Sequence, residues 1–258
     1  AYSCMIYIMN LSQQVKRIGV LSPPFPWDKS QVNEQNDQEV VIMLHGLWRS
    51  IRAMQPMAKH LSDHGYTTVN VPYSSFRHDL DKLVSIVIEE IRPWVEQGKT
   101  IHFVTHSLGG VVVKRLLEIL ELSQIEKIGR VVMLAPPHKG SEIVDWLRSS
   151  PLRSIKGVLG PAGDFLSSVQ MARQSGEFPS GVEAAVIMGE KRAIPFFRKL
   201  LDASNDGIVS VEKGRLLGIK EFKVVNSDHT FISSDLVVMQ LTTNFFDHGT
   251  MVDESIND

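Results

Sequence analysis

One cysteine, Cys4, stands in 258 residues. A lone thiol cannot close an internal disulfide, so no disulfide framework supports the fold, and a reducing, cytoplasmic setting is expected. Charge of one sign is missing as well. The net charge is −2, with acidic and basic residues mixed along the chain. No basic stripe is available for nucleic acid, and no strong field steers charged substrates. The apolar start, Ala1 to Met9, is broken by Asn10 and lacks a basic leader region, so it reads as neither signal peptide nor membrane span. Because the first residue is Ala1, a trimmed leader stays open. Metal-ligand spacing is also thin. His60 and His64 can share a helix face, but no intervening acid and no third ligand accompany them, so no metal site is expected.

What is present suits one soluble α/β domain. Apolar residues make up 43 % and charged residues 22 %, and the length is ample to bury a core. Residues 1–38 form an N-terminal extension: the apolar start, a Pro-rich connector from Leu21 to Trp27, and a polar Gln/Asn run that reads as a solvated loop. From Glu39 short apolar runs alternate with helical segments. The strand candidates are Val40–Leu44, Thr67–Val71, Ile101–Thr105, Val131–Leu134, Ala184–Met188 and Phe222–Val225. They are near-continuous rather than alternating, as in a parallel sheet covered on both faces. Leu80, Leu83, Val84, Val87, Ile88 and Ile91 fall on one helical face, and another helix follows Ser107. The alternation predicts a doubly wound, mostly parallel sheet spanning 39–250, with a tail at 251–258. Gly140–Gly181 interrupts it and is read as a small cap, whose Trp146, Leu159, Phe165 and Leu166 would line a substrate pocket. The alternative is that these residues simply pack onto the sheet.

The chemistry-bearing segment runs from Ile101 to Gly110, Ile-His-Phe-Val-Thr-His-Ser-Leu-Gly-Gly. An apolar strand enters Ser107 and an apolar helix leaves it. Such a sharp strand-to-helix turn lifts a serine hydroxyl above the sheet and requires small neighbours, hence Gly109. Thr105 stands where the usual Gly-x-Ser-x-Gly pattern has its first glycine. Val41 to Leu47 is a second strand ending in His45-Gly46, which leaves the Leu47 amide free to point into the cleft. With the Leu108 amide it would form an oxyanion hole. The His45 ring is read as pinning that loop.

The acid and base come later, in the order this fold expects. Asp206 lies in a turn after a helical stretch at Pro195–Leu201, and His229 follows the Phe222–Val225 strand. Asp228, beside His229, and Asp202 are rival acids; adjacent side chains seldom meet the ring squarely, which favours Asp206. Of nine histidines, His60, His64 and His78 lie in or near surface helices, His102 is inside a strand and His248 is in the tail. His106 adjoins Ser107 but points along the wrong side of the turn to take its proton.

These residues carry a resemblance. His45-Gly46-Leu47, Thr105 to Gly110, Leu134 to Ser141, Asn205 to Val209 and Asp228-His229-Thr230 resemble lipase- and esterase-like α/β hydrolases. The chain especially resembles bacterial class 2 lipases and proteins similar to the inositol deacylase that acts on GPI anchors. The resemblance implies the α/β-hydrolase fold and cofactor-free hydrolysis of a small-molecule or lipid acyl ester of short to medium chain. Ser107, Asp206 and His229 would be catalytic. Acyl transfer or thioester cleavage on the same residues, peptide cleavage, and a non-catalytic binding role are the alternatives.

Overall fold

The computed structural model describes residues 30–31, 38–120, 125–149, 159–173, 176–191, 200–201 and 204–252. Cys4, the Pro-rich connector, Asp202 and all but the last two residues of the helical stretch expected at Pro195–Leu201 lie outside them.

Seven strands form one sheet: β1 (Ser30–Gln31), β2 (Glu39–Leu44), β3 (Thr67–Asn70), β4 (Thr100–His106), β5 (Ile128–Leu134), β6 (Glu183–Gly189) and β7 (Glu221–Val225). Their spatial order is β1-β3-β2-β4-β5-β6-β7. Strands β2 to β7 pair in parallel; five of them contain an expected run whole, and β3 ends at Asn70, one residue short of the run expected to reach Val71. Strand β1 was not expected. Ser30 and Gln31 pair antiparallel with Val69 and Thr68, so the polar run begins as an edge strand rather than wholly as a loop. Backbone pairing, not side-chain pattern, places it, which is why hydrophobicity carried no sign of it.

The inner strands are apolar because both faces are covered; in β2, β4 and β6 every residue after the first is buried. The helices are α1 (Gln55–Asp63), α2 (Leu80–Glu96), α3 (Leu108–Ile119), α4 (Glu142–Ser149), α5 (Gly160–Phe165), α6 (Ser168–Arg173) and α7 (Leu236–His248). Helix α2 starts where Asp79 accepts from the Lys82 amide at 2.9 Å, and it buries Leu80, Leu83, Val84, Val87 and Ile91. Helix α7 is capped by Asp235 on the Val237 amide (3.0 Å) and ends at Gly249 with φ 74°. Its Phe246 ring packs 4.9 Å from His102 and 5.7 Å from Tyr66, closing the sheet from behind.

The chain winds to β3 on one side of β2 and to β4 on the other. Direction therefore reverses between β2 and β4, and the crevice at the carboxyl ends of such strands is where open α/β sheets hold ligands. Those ends carry His45–Leu47 and Ser107. Helices α4, α5 and α6 all fall inside the expected insertion at 140–181. No helix among the described residues is long and apolar enough to cross a membrane.

Candidate active site

Ser107 joins β4 directly to α3 with φ 52° and ψ −117°. A serine resists positive φ, so the surrounding packing must hold it there. Two hydrogen bonds and two close glycine approaches do so. The Ser107 amide donates to the Leu134 carbonyl at 2.8 Å, and its own carbonyl accepts from Gly110 at 2.9 Å. A Cβ on Gly109 would lie 2.6 Å from the Leu44 carbonyl oxygen, and one on Gly110 would lie 2.7 Å from Pro136 Cβ. Both glycines are thus required for α3 to start against β2 and β5. Thr105, in place of the first motif glycine, is fully buried beneath the turn without a hydroxyl partner. The turn forms nonetheless.

A serine at the N-cap of a helix ordinarily folds its hydroxyl back onto the first amides. Ser107 makes no such bond, and its side chain has no partner among the described residues. The Leu108 amide is the first of the helix and has no intrahelical acceptor. Neither it nor the Leu47 amide has a partner among the described residues. Gly46 supports this arrangement, since a Cβ there would sit 3.0 Å from both His106 Nδ1 and Ser107 Cβ. His45 anchors the same loop. Its ring stacks on Tyr73 at 4.1 Å, and its Nδ1 and Nε2 face the Gly46 and Tyr73 carbonyls at 3.0 and 3.1 Å. Burial holds the His45 pKa below its ordinary value.

His229 Nδ1 donates to Asp206 Oδ2 at 2.6 Å, across a pair that is almost wholly buried. The same carboxylate accepts from the Ile208 and Val209 amides at 3.0 and 2.8 Å through Oδ1. Asp228 does something different. Its Oδ1 accepts from the Thr230 and Phe231 amides at 3.0 and 3.1 Å, so it caps its own turn. The carbonyl of Thr230 in turn accepts from Arg49 at 2.6 Å, tying the His229 loop to the loop after Leu47. Asp206 and His229 are thus brought together directly. Ser107 and His229 share no hydrogen bond among the described residues; His106, the residue before Ser107, meets the His229 carbonyl through Nε2 at 2.9 Å, a contact not legible in the sequence.

The four expected pocket residues divide. Phe165 lines a cavity of about 350 Å³ shared with Leu80, Val111, Met171, Leu216 and Leu217. Leu159 and Leu166 are buried in the core, and Trp146 is half-buried against it. Ser107, Leu47 and His229 do not line that cavity. The segment expected to form a cap nevertheless adjoins the Leu47 loop. A Cβ on Gly163 would lie 2.9 Å from Leu47 Cδ2, and one on Gly160 would lie 2.4 Å from the Phe76 carbonyl, so α5 rests on the Leu47 side chain. His138, on the loop after β5, lines the same cavity. Both of its ring nitrogens lack partners among the described residues, and burial, with Lys114 nearby, pushes its pKa down to about 3.

The family model described as "Alpha/beta hydrolase family" matches residues 41–212, about two-thirds of the chain. No curated protein matches. Among solved structures the chain is similar to the lipase BlEst2 of Bacillus licheniformis in mature form, at 20 % identity and TM-score 0.70, over 86 % of this chain and 97 % of that one. It is similar to a metagenomic carboxyl esterase at 22 % identity and TM-score 0.60, over 83 % and 71 %. It is also similar to phospholipase PlaB of Legionella pneumophila at 17 % identity and TM-score 0.63, over 81 % and 57 %. At such identities the likeness is one of fold.

Proposed function

We propose that this chain, which belongs to the Alpha/beta hydrolase family, is a serine carboxylic-ester hydrolase with Ser107, His229 and Asp206 as its catalytic residues. The observation that carries the reading is the 2.6 Å bond from His229 Nδ1 to Asp206 Oδ2. A ring that donates from Nδ1 to a carboxylate keeps Nε2 as its free basic nitrogen, the tautomer that acyl transfer needs. Ser107 supplies an unpartnered hydroxyl on a strained elbow, the setting of an activated nucleophile.

The steps follow from those roles. His229 Nε2 takes the Ser107 proton as Oγ attacks the ester carbonyl. The carbonyl oxygen gains the negative charge, and the Leu47 and Leu108 amides hold it. Collapse breaks the ester C–O bond; His229 returns the proton to the departing alcohol, leaving the acyl group on Ser107. Water, deprotonated by the same nitrogen, then releases the acid and restores the serine. Asp206 stabilises the ring each time it is charged. No cofactor enters any step. The substrate class is an acyl ester of short to medium chain, because the described part of the 140–181 segment is made of short helices and one of them, α5, rests on Leu47.

The test is hydrolysis of p-nitrophenyl esters from acetate to palmitate, together with labelling by an active-site-directed fluorophosphonate. Ser107→Ala is expected to lose labelling and to cost on the order of a millionfold in kcat. Retention of more than a trace of activity would remove Ser107 as nucleophile. A wild-type chain that neither labels nor turns over would favour a binding role.

A further inference from the structure

His229 has a long way to come. It follows β7, at the opposite edge of the sheet from β1, whereas Ser107 follows β4; β5 and β6 lie between. Three strand spacings amount to roughly 14 Å, so the loop carrying the base must reach back across two strands. Asp206 holds that loop from one side: its carbonyl accepts from the His229 amide at 3.0 Å and its carboxylate from the ring at 2.6 Å. Neither bond relates the ring to the nucleophile strand.

The tie to that strand is His106. Its Nε2 lies 2.9 Å from the His229 carbonyl oxygen, and the two ring centroids are 4.8 Å apart. A carbonyl only accepts, so Nε2 must carry the proton and the tautomer is fixed. Nδ1 is then unprotonated, buried and, among the described residues, without a hydrogen-bond partner, against Gly46. Only 1 % of the residue is exposed. One ring therefore touches all three moving parts: it is bonded through the backbone to Ser107, packs on the glycine before Leu47, and holds the backbone of the base. Burial lowers its pKa well below the ordinary histidine value, and the neighbouring His229, Arg49 and His45 act in the same direction, so the ring stays a neutral donor.

We infer that His106 is a positioning residue, whose Nε2–H to the His229 carbonyl sets where the His229 ring stands relative to Ser107. The inference rests on the reading of Ser107 and His229 as nucleophile and base. His106 touches no reacting atom and transfers no proton. It fixes the second end of a residue that Asp206 fixes at the first. Misplacement of a catalytic group by about 1 Å costs on the order of a hundredfold in rate.

Three variants separate this role from mere packing. Gln places an amide N–H near the position of Nε2, Asn places one near Nδ1, and Leu fills the space without a donor. The measurements are kcat and KM on p-nitrophenyl acetate, fluorophosphonate labelling rate and thermal midpoint, all taken below each variant's own melting range. His106→Leu and His106→Asn are expected to lower kcat and labelling by roughly a hundredfold with KM little changed, and His106→Gln to recover to within about tenfold of wild type. If His106→Leu does not fold, the comparison of Gln with Asn decides. Equal losses in Gln and Asn, or losses that follow the melting midpoint alone, would overturn the inference and leave His106 a packing residue. Wild-type kcat in a folded Leu or Asn variant would also overturn it. Failure of the wild type itself to label at Ser107 would instead sink the catalytic reading, and the inference with it.

Discussion

Two aspartates lie close to His229, the proposed base, and their hydrogen bonds differ. Asp206 gives Oδ2 to His229 and Oδ1 to two amides, whereas Asp228 gives Oδ1 to the turn it begins. An asparagine at 206 keeps its oxygen on the amides and turns its N–H₂ toward the ring. His229 Nδ1 must then accept, and the proton moves to the nitrogen that should take it from serine. Asp206→Asn is expected to lower kcat about ten-thousandfold, the scale set by the wrong histidine tautomer. Asp228→Asn keeps a side-chain oxygen for its turn and is expected to cost less than about tenfold, since a retained turn cap preserves the local backbone. Steady-state kinetics of the two variants decide the matter; a larger loss at Asp228 would reverse the assignment.

At the scale of elements, the segment at 140–181, proposed as a cap, is where one expectation splits in two. Leu159 is buried at the start of α5, while Phe165, at its end, faces a cavity. Leu159→Ala should therefore act on stability, costing about 2–5 kcal/mol as a buried leucine truncated in a close-packed site does. Phe165→Ala should act on selection: enlarging the cavity is expected to raise activity on longer p-nitrophenyl esters relative to acetate, with acetate hydrolysis retained. Urea unfolding reads the first and the ester series reads the second. An unchanged chain-length profile in Phe165→Ala would make the cap a packing element only. Glycines in α5 make this placement possible, because a side chain at Gly160 or Gly163 would collide with Phe76 or Leu47.

For the molecule as a whole, buried neutral histidines tie stability to pH. His45, His106 and His138 all have lowered pKa values, chiefly because burial disfavours the charged ring; that of His138 falls from 6.5 to about 3. Between these two values the unfolded chain binds a proton that the folded chain refuses. The contribution is therefore fully present above about pH 6.5 and is lost as pH falls, with a slope of up to about 1.4 kcal/mol per pH unit for each such group. Urea midpoints are expected to drop steeply from about pH 6.5 to pH 4. His138→Leu should flatten that slope and be no less stable at neutral pH, since neither ring nitrogen has a partner to lose. A slope identical to wild type would show that His138 does not carry this dependence.

The fold was legible because its signals are local. Inner runs such as Val40–Leu44 and Ala184–Met188 are apolar at consecutive positions, as strands covered on both faces are, whereas Phe222–Val225 forms the edge strand β7 and has no fully buried residue. The elbow at Ser107 was legible for the same reason: strand, Ser, Gly109, Gly110 and helix are contiguous, and the steric demand that selects the glycines acts between neighbours in the chain and the adjoining strand. The Asp206–His229 pair could be ranked from the sequence only by excluding rivals, since its 2.6 Å contact joins two separate loops. What the sequence could not contain was the strand at Ser30–Gln31, made by backbone pairing without an apolar pattern, and the role of His106. That residue reads as a bystander facing away from the serine. Its partner is a backbone carbonyl 123 positions distant, and a carbonyl is the same at every residue. Tertiary structure alone decides which one a buried donor finds, because satisfying that donor depends on where the sheet brings the chain back and not on what side chain stands there.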